Sequence, residues 1–251
     1  MIKIPRGWPV KFAGDGRSLY AGVSSGLAKI EFNPVRSTPV AGTQGFGPIK
    51  DFAVTPDQRK IVISGHRRED GGEKCGLFEV TVSTGVARRV LAADCNYQWS
   101  WTDLAISPGG DRAVASYGNT HTDDNYRMDL IELAHGTAKS LGDLSRGTWS
   151  PDGKWIAAIE WNRKRLILLD GNDPSRRRDI GSTLQVAWSP DSRWLLVWTL
   201  HFMRCGIGID LEPPASFEVL EVASGKRSLI RSSQCQLIQG PIGWLSSDIG
   251  K

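Results

Sequence analysis

The residues whose spacing points most directly to chemistry are the four cysteines, Cys75, Cys95, Cys205 and Cys235. Each pair brackets a segment that begins Phe-Glu-Val and reads as a β-hairpin. One cysteine precedes the first strand of that hairpin and the other follows the second strand. The two ends of an antiparallel hairpin are neighbours, so the placement predicts two disulfides. Disulfides in turn favour an oxidising compartment, either the periplasm or the outside of the cell.

The two cysteine pairs are not equally well placed. Cys75 and Cys95 are symmetric about the turn at Gly85, and a bridge between them would add ~3 kcal/mol in the chain-entropy model. The insertion of residues 206–216 separates Cys205 from its hairpin. The alternative is four free buried thiols. A zinc site would use the same residues but lacks close Cys-x-x-Cys spacing, so neither a metal nor another cofactor is predicted.

Two apparent catalytic patterns do not hold. Residues 22–26 read Gly-Val-Ser-Ser-Gly and match Gly-x-Ser-x-Gly. A nucleophile elbow needs a helix after the serine, whereas residues 27–32 read as a strand. Asp123 and Asp124 are adjacent in sequence, which does not give the carboxylate separation of a glycosidase. A non-enzymatic role is therefore favoured.

The elements that would position these residues come from an internal repeat. Residues 149–157 read Trp-Ser-Pro-Asp-Gly-Lys-Trp-Ile-Ala, and residues 188–196 match almost throughout. Looser copies begin at Phe12, Val54 and Ile106, and the start of a sixth copy falls at Trp244. Ser-Pro-Asp-Gly forms a tight turn, because proline presets one turn residue and glycine tolerates the last. A period of about 40 to 50 residues is typical of propeller blades.

Each repeat contains two further strand candidates around a glycine turn, and no segment has a capped helical period. The sequence therefore predicts an all-β protein, a single β-propeller domain over residues 1–251 with five to six four-stranded blades. The last blade is apparently incomplete, because the sixth copy stops after its innermost strand. Either the ring closes with five blades, or the chain is part of a longer protein.

The Trp-Ser-Pro-Asp-Gly-Lys segment at residues 149–154 and its copies resemble the repeat of TolB-like propellers, a group often described as WD-repeat-like. The resemblance covers nearly the whole chain. It implies a propeller fold, usually with six blades in that family. It does not imply one activity, because the repeat occurs in binding proteins, in sensor modules and in the propeller domains of some peptidases.

The variable loops predict where function lies. In a four-stranded meander, the loops between second and third strands share one end with the connections between blades. The long segments 66–74, 94–100, 118–127 and 200–216 all fall at this end, which we call the long-loop face. Variable loops on a rigid scaffold commonly carry binding. The candidate binding residues on this face are Arg67, Arg68, Tyr97, Trp99, His121, Asp123, His201 and Arg204.

Composition narrows the class of partner. The formal net charge of +4 is mild and its basic residues are dispersed, which does not suggest a nucleic-acid surface. No apolar run reaches the ~20 residues that span a bilayer. A protein or peptide partner is favoured, and a small ligand is the alternative.

Three functions follow from these observations. The first is a non-enzymatic binding scaffold or sensor module with its partner on the long-loop face. The second is the accessory propeller of a larger hydrolase or peptidase. The third is a propeller hydrolase or lyase with its site in the central channel.

Overall fold

A computed structural model describes residues 9–47, 49–69, 71–93, 95, 99–119, 126–200 and 215–233 of the chain. The chain divides into two compact units, residues 1–147 and residues 148–251. Apart from one 3₁₀ turn at Trp161–Arg163, the described regular structure is all strand. Within the described residues, no helix is long and apolar enough to cross a membrane.

The first unit contains three antiparallel four-stranded sheets, each in simple sequential order. The first sheet consists of β1 (Val10–Phe12), β2 (Ser18–Val23), β3 (Gly26–Phe32) and β4 (Val35–Pro39). The second consists of β5 (Asp51–Val54), β6 (Lys60–Glu69), β7 (Gly72–Thr81) and β8 (Ala87–Ala93). The third consists of β9 (Trp99–Ile106), β10 (Arg112–Asn119), β11 (Arg127–Glu132) and β12 (Thr137–Gly142).

The second unit contains two sheets of the same kind and begins within β13. Its first sheet consists of β13 (Leu144–Trp149), β14 (Trp155–Glu160), β15 (Arg165–Asp170) and β16 (Arg177–Ser182). Its second consists of β17 (Gln185–Trp188), β18 (Trp194–Leu200), β19 (Ala215–Glu221) and β20 (Arg227–Ser233). Five such meanders, each the blade unit of a β-propeller, confirm the predicted fold class. The predicted sixth copy lies outside the described residues.

The repeat has the same position in every sheet. The first strands end at Phe12, Val54, Ile106, Trp149 and Trp188, which are the residues where the first five copies begin. The turn that follows is held by a hydroxyl and a carboxylate. For example, the Ser150 hydroxyl donates to Asp152 at 2.7 Å, and the Ser189 hydroxyl donates to Asp191 at 2.6 Å. The repeated motif is therefore a scaffold turn, as its composition predicts.

The hydrogen bonds from these hydroxyls also lower the pKa of the turn carboxylates. The hydroxyls of Thr55, Ser107 and Ser189 hold the pKa of their aspartates below the usual range, because a hydrogen bond favours the charged form of the acceptor. The aspartates concerned are Asp57, Asp111 and Asp191. Ionised turn aspartates therefore belong to the scaffold and not to an acid-base site.

The apolar core lies between neighbouring sheets within each unit. Between the first two sheets, Tyr20, Phe52 and Phe78 are fully buried in one cluster. In the second unit, Leu168 and Leu195 are buried in a cluster contributed by both sheets. Burial of apolar surface at about 25 cal/mol per Å² makes these contacts the main stabilising term of each unit.

The structure corrects one feature of the sequence analysis. Residues 66–74 were expected to form a long loop between the second and third strands. Residues 66–69 and 72–74 instead continue the two strands, and the pairing of β6 with β7 runs without interruption from Lys60↔Thr81 to Glu69↔Gly72. The variable element at this end of the second sheet is therefore a long hairpin.

Candidate functional site

The β6–β7 hairpin extends beyond the strands that flank it. Pairing with β8 begins only at Cys75↔Ala93, so none of the described strands pairs with residues 72–74 of β7 on that side. On the other side the backbone of residues 45–47 covers β6. The backbone amide of Gly47 donates to the carbonyl oxygen of His66 at 2.8 Å, and the backbone amide of Arg68 donates to the carbonyl oxygen of Gly45 at 3.0 Å. The extended hairpin is thus an ordered part of the long-loop face.

Of the two predicted arginines on this hairpin, only one is exposed. The Arg67 guanidinium lies 5.4 Å from the centroid of the Phe46 ring and 3.8 Å from the Glu69 carboxylate, and its side chain is 23% exposed. This is the geometry of a cation–π contact. Arg68 is exposed on the opposite face of the strand. Arg67 therefore supports the hairpin, while Arg68 is available to a partner.

A cluster of donor atoms lies at the base of the extension. His66 and Cys75 are cross-strand partners, and the imidazole Nδ1 lies 3.3 Å from the Cys75 sulfur. The same nitrogen lies 3.3 Å from a carboxylate oxygen of Glu73, which shares the face of β7 with Cys75. His66 and Cys75 are buried, whereas Glu73 is exposed.

Cys75 forms a disulfide with Cys95, two residues after β8 ends. The two Cα atoms are 5.2 Å apart, which is within the usual range for a bridge. This confirms the predicted first disulfide, and the described residues contain no free cysteine. Cys205 and Cys235 lie outside the described residues, so the second bridge stays a prediction. Sequence reasoning missed His66 and Glu73, because their role depends on strand register.

A second ionisable cluster lies on the first strands of the sheets in the first unit. The Asp51 carboxylate is 3.0 Å from the Lys11 ammonium, and it accepts the backbone amide of Leu104 at 2.9 Å. Asp51 is 7% exposed. Burial raises the pKa of Asp51, and the Lys11 charge only partly opposes that effect. Asp51 lies on β5 of the second sheet, and its carboxylate bonds Lys11 of the first sheet and Leu104 of the third. It therefore links all three sheets of the first unit.

A groove of about 650 Å³ lies at the end of the first sheet that carries the repeat turn. Asp15, Arg17 and Phe32 are among the residues that line it. None of the predicted binding residues lies there. Residues 23–26, which include the Gly-x-Ser-x-Gly serine, form the β2–β3 turn. The residue after this turn continues into β3, so the nucleophile-elbow reading is excluded as predicted.

The remaining candidates on the long-loop face lie wholly or partly outside the described residues. The backbone of Trp99 begins β9, and its side chain lies outside the described part of the structure. The same holds for the whole of five other predicted residues, Tyr97, His121, Asp123, His201 and Arg204. The grouping of all eight candidates on one face therefore stays a prediction.

No protein-family model matches this chain, and no curated protein matches it significantly. Solved structures do resemble it. An oligogalacturonate lyase in complex with manganese aligns with a TM-score of 0.63 and 14% identity, over 88% of this chain and 64% of the lyase. A putative TolB from Agrobacterium tumefaciens aligns with a TM-score of 0.60 and 14% identity, over 90% of this chain and 80% of that one.

TolB from Acinetobacter baumannii aligns with a TM-score of 0.56 and 14% identity, over 88% of this chain and 53% of its own. The chain thus spans less than two thirds of the length of the lyase and of this TolB. Identities this low show the fold and nothing of the activity. Together with the five meanders, they show that this chain has the β-propeller fold found in TolB proteins.

Proposed function

We propose that this protein is a non-enzymatic binding scaffold whose protein or peptide partner docks on the long-loop face at the β6–β7 hairpin. The observation that supports the proposal most directly is the extension of this hairpin beyond its flanking strands. Both of its strands are 10 residues long, against about 5 to 6 for an average strand. Among the described residues, β5 and β8 do not pair with the extra length.

The rigidity of the hairpin suits a docking element. One flank is bonded to the backbone of residues 45–47, the Arg67–Phe46 contact fixes its face, and the disulfide closes its base. A surface that is ordered before binding loses little conformational entropy when a partner docks. The hairpin therefore presents contacts at low entropic cost.

The charge pattern of the hairpin points to a protein surface as the partner. Arg68 and Lys74 carry positive charge, and Glu69 and Glu73 carry negative charge. Lys74 and Glu69 pair at 3.4 Å. A mixed surface suits a partner with complementary charges of both signs. A phosphate backbone would instead require a cluster of one sign.

We further propose that the protein works in an oxidising compartment, the periplasm or the outside of the cell. The Cys75–Cys95 disulfide supports this, because such bridges persist where thiols are not kept reduced. Fractionation of the source cells with a thiol-trapping label tests it. A reduced pair of thiols in protein taken from a cytosolic fraction would contradict the assignment.

Site-specific photocrosslinking in the source cells tests the docking face. A photoreactive residue at Arg68 should yield a discrete crosslinked species. The matched control is the same residue at Arg59, which lies in the repeat turn at the opposite end of the same sheet. Its side chain is 84% exposed, and its 3.9 Å contact with Asp57 is worth little at the surface.

The second arm of this test reverses charge. With the crosslinked partner purified, Arg68→Glu should weaken its binding at least about tenfold, the effect expected when an interface charge is placed against its like. Arg59→Glu should leave the affinity unchanged. Equal crosslinking at the two ends, or equal loss of affinity in the two variants, would contradict the proposed face.

A further inference from the structure

We propose that His66, Cys75 and Cys95 form a zinc site when the disulfide is reduced, with the Glu73 carboxylate as the fourth ligand. Imidazole nitrogen and cysteine thiolate are the ligands that zinc prefers, and a carboxylate is also accepted. No close Cys-x-x-Cys spacing is needed here, because strand pairing brings His66 beside Cys75 and the end of β8 brings Cys95.

The distances suit a tetrahedral ion. The donor atoms of His66, Cys75 and Cys95 all lie within 4.8 Å of one another. Zn–S bonds of about 2.3 Å and Zn–N bonds of about 2.0 Å place tetrahedral ligands about 3.3 to 3.8 Å apart. The Nδ1 of His66 already lies 3.3 Å from the Cys75 sulfur and 3.3 Å from the Glu73 carboxylate. For the ion to enter, the two sulfurs have to separate, and the exposed Glu73 side chain, which is not part of this group of three, has to turn toward them.

The burial of the ligands provides both a fixed side and an open side. His66 and Cys75 are 8% and 4% exposed and are held by paired strands. Cys95 lies beyond the end of β8 and is exposed, as is Glu73. Two ligands are thus preorganised, while the other two lie on the solvent side, from which an ion would enter.

Reduction by a dithiol converts the disulfide into the zinc-binding form, and oxidation reverses the change. A dithiol reductant transfers two electrons and two protons to the disulfide, which breaks the S–S bond, yields two thiols and leaves the reductant as its own disulfide. Zinc then binds both sulfurs and His66, and the two thiol protons pass to solvent. Re-oxidation by a disulfide oxidant removes two electrons from the thiolates, re-forms the S–S bond and releases the ion, while the oxidant takes up two protons from solvent and leaves as a dithiol.

Zinc and the disulfide therefore exclude each other, so the site is gated by redox state. This inference does not rest on the proposed docking function. It concerns the base of the hairpin, whereas Arg68 lies further along β6. Loss of zinc binding would leave the crosslinking result at Arg68 unaffected.

The test uses the full chain with Cys205 and Cys235 changed to serine, so that only one pair of thiols remains. One sample is kept oxidised, and the other is reduced with a phosphine, which takes up the oxygen of a water molecule as the disulfide becomes two thiols. Cobalt(II) is titrated first as a spectroscopic probe. Zinc affinity is then measured by displacement of that cobalt.

The reduced protein should bind one cobalt ion with a thiolate-to-metal charge-transfer band and the intense visible bands of tetrahedral coordination, and zinc should bleach both. The oxidised protein should show neither. Since this comparison uses a single protein, it decides the proposal even if a ligand variant fails to fold. Absence of the charge-transfer band after reduction, or equal metal binding by the oxidised sample, would overturn it.

Variants assign the ligands. Glu73→Gln should weaken zinc by about tenfold, and His66→Gln should weaken it more, because it removes a buried nitrogen ligand. The matched control is His135→Gln, because His135 also lies beside a glutamate, at 3.6 Å from Glu132, on an exposed turn without cysteine. If His66→Gln bound zinc as tightly as His135→Gln, the assignment of His66 would be wrong.

Discussion

Replacement of Ser150 by alanine tests the turn that defines the repeat. The Ser150 side chain is fully buried. Its hydroxyl donates to Asp152 at 2.7 Å and accepts the backbone amide of Trp155 at 2.9 Å. Alanine removes both bonds, so the Trp155 amide loses this acceptor at a partly buried position.

The expected cost follows from the unpaired amide. A donor left without its partner on burial costs about 1–3 kcal/mol. For a chain of this size, each kcal/mol lowers Tm by about 2–4 °C, so the variant should melt about 2–12 °C below the parent. Ser150→Thr is the matched control, because Thr55 fills the same repeat position. The Thr55 hydroxyl donates to Asp57 at 2.6 Å and accepts the amide of Lys60 at 3.0 Å.

Urea denaturation of the three proteins provides the measurement. Although burial raises the pKa of Asp152, the bonds from Ser150 and Lys154 outweigh it and lower that pKa overall. A lowered pKa gives stability that is present above about pH 4 and is lost as the pH falls through the folded-state value. The difference in free energy of unfolding between the parent and Ser150→Ala should therefore become smaller in acid. A gap below about 0.5 kcal/mol at pH 7, or an equal loss in Ser150→Thr, would refute this account of the turn.

Four other substitutions test further features of the fold. In protein with Cys205 and Cys235 changed to serine, Cys95→Ser should lower the free energy of unfolding by about 3 kcal/mol, the chain-entropy value for its 20-residue separation, and a reductant should then have no further effect in urea titrations. Gly136→Ala should cost about 2 kcal/mol or more in thermal melts, because its φ is +68° and a Cβ would overlap the Val90 carbonyl. Gly16→Ala, with φ +62° and open space, should cost only about 1 kcal/mol. Asp51→Asn should gain stability relative to the parent as pH rises above about 4, since the raised pKa of Asp51 means that its contribution is lost as pH rises from the unfolded-state to the folded-state pKa; a flat difference in urea titrations across pH would contradict this.

The repeat could be predicted from the sequence because its chemistry is local. In the copies that begin at residues 54, 106, 149 and 188, the hydroxyl, proline and aspartate of the turn lie within four residues of one another. The structure accordingly places each of the first five copies between a first and a second strand. The Cys75–Cys95 bridge could also be predicted from the sequence, because both residues are equally far from the turn of one hairpin.

The hairpin extension was not predicted, because loop length was read in place of strand pairing. Residues 66–69 and 72–75 flank an Asp-Gly pair at residues 70–71, and Asp-Gly is a preferred two-residue connection of β-hairpins. From that signal, β6 and β7 would be predicted to extend as far as the Asp-Gly pair. It would also have set His66 opposite Cys75, which is the register that creates the donor cluster.

The positions where the repeat departs from its own pattern show how neighbouring copies are joined. The last turn residue has positive φ and is glycine at Gly110 and Gly153, but not at Gln58 or Ser192, where φ is +56° and +63°. A side chain costs about 1 kcal/mol in this conformation. Ser192 accepts the amide of Asp152 at 2.9 Å, and the Gln58 side chain bonds the Asp15 carboxylate. In both cases the bond reaches the turn of a preceding copy, so it offsets the strain with a contact between copies. Some departures from the repeat therefore have a structural role. A glycine at residue 58 or residue 192 would follow the pattern, but it would lack the side chain that joins this copy to its neighbour.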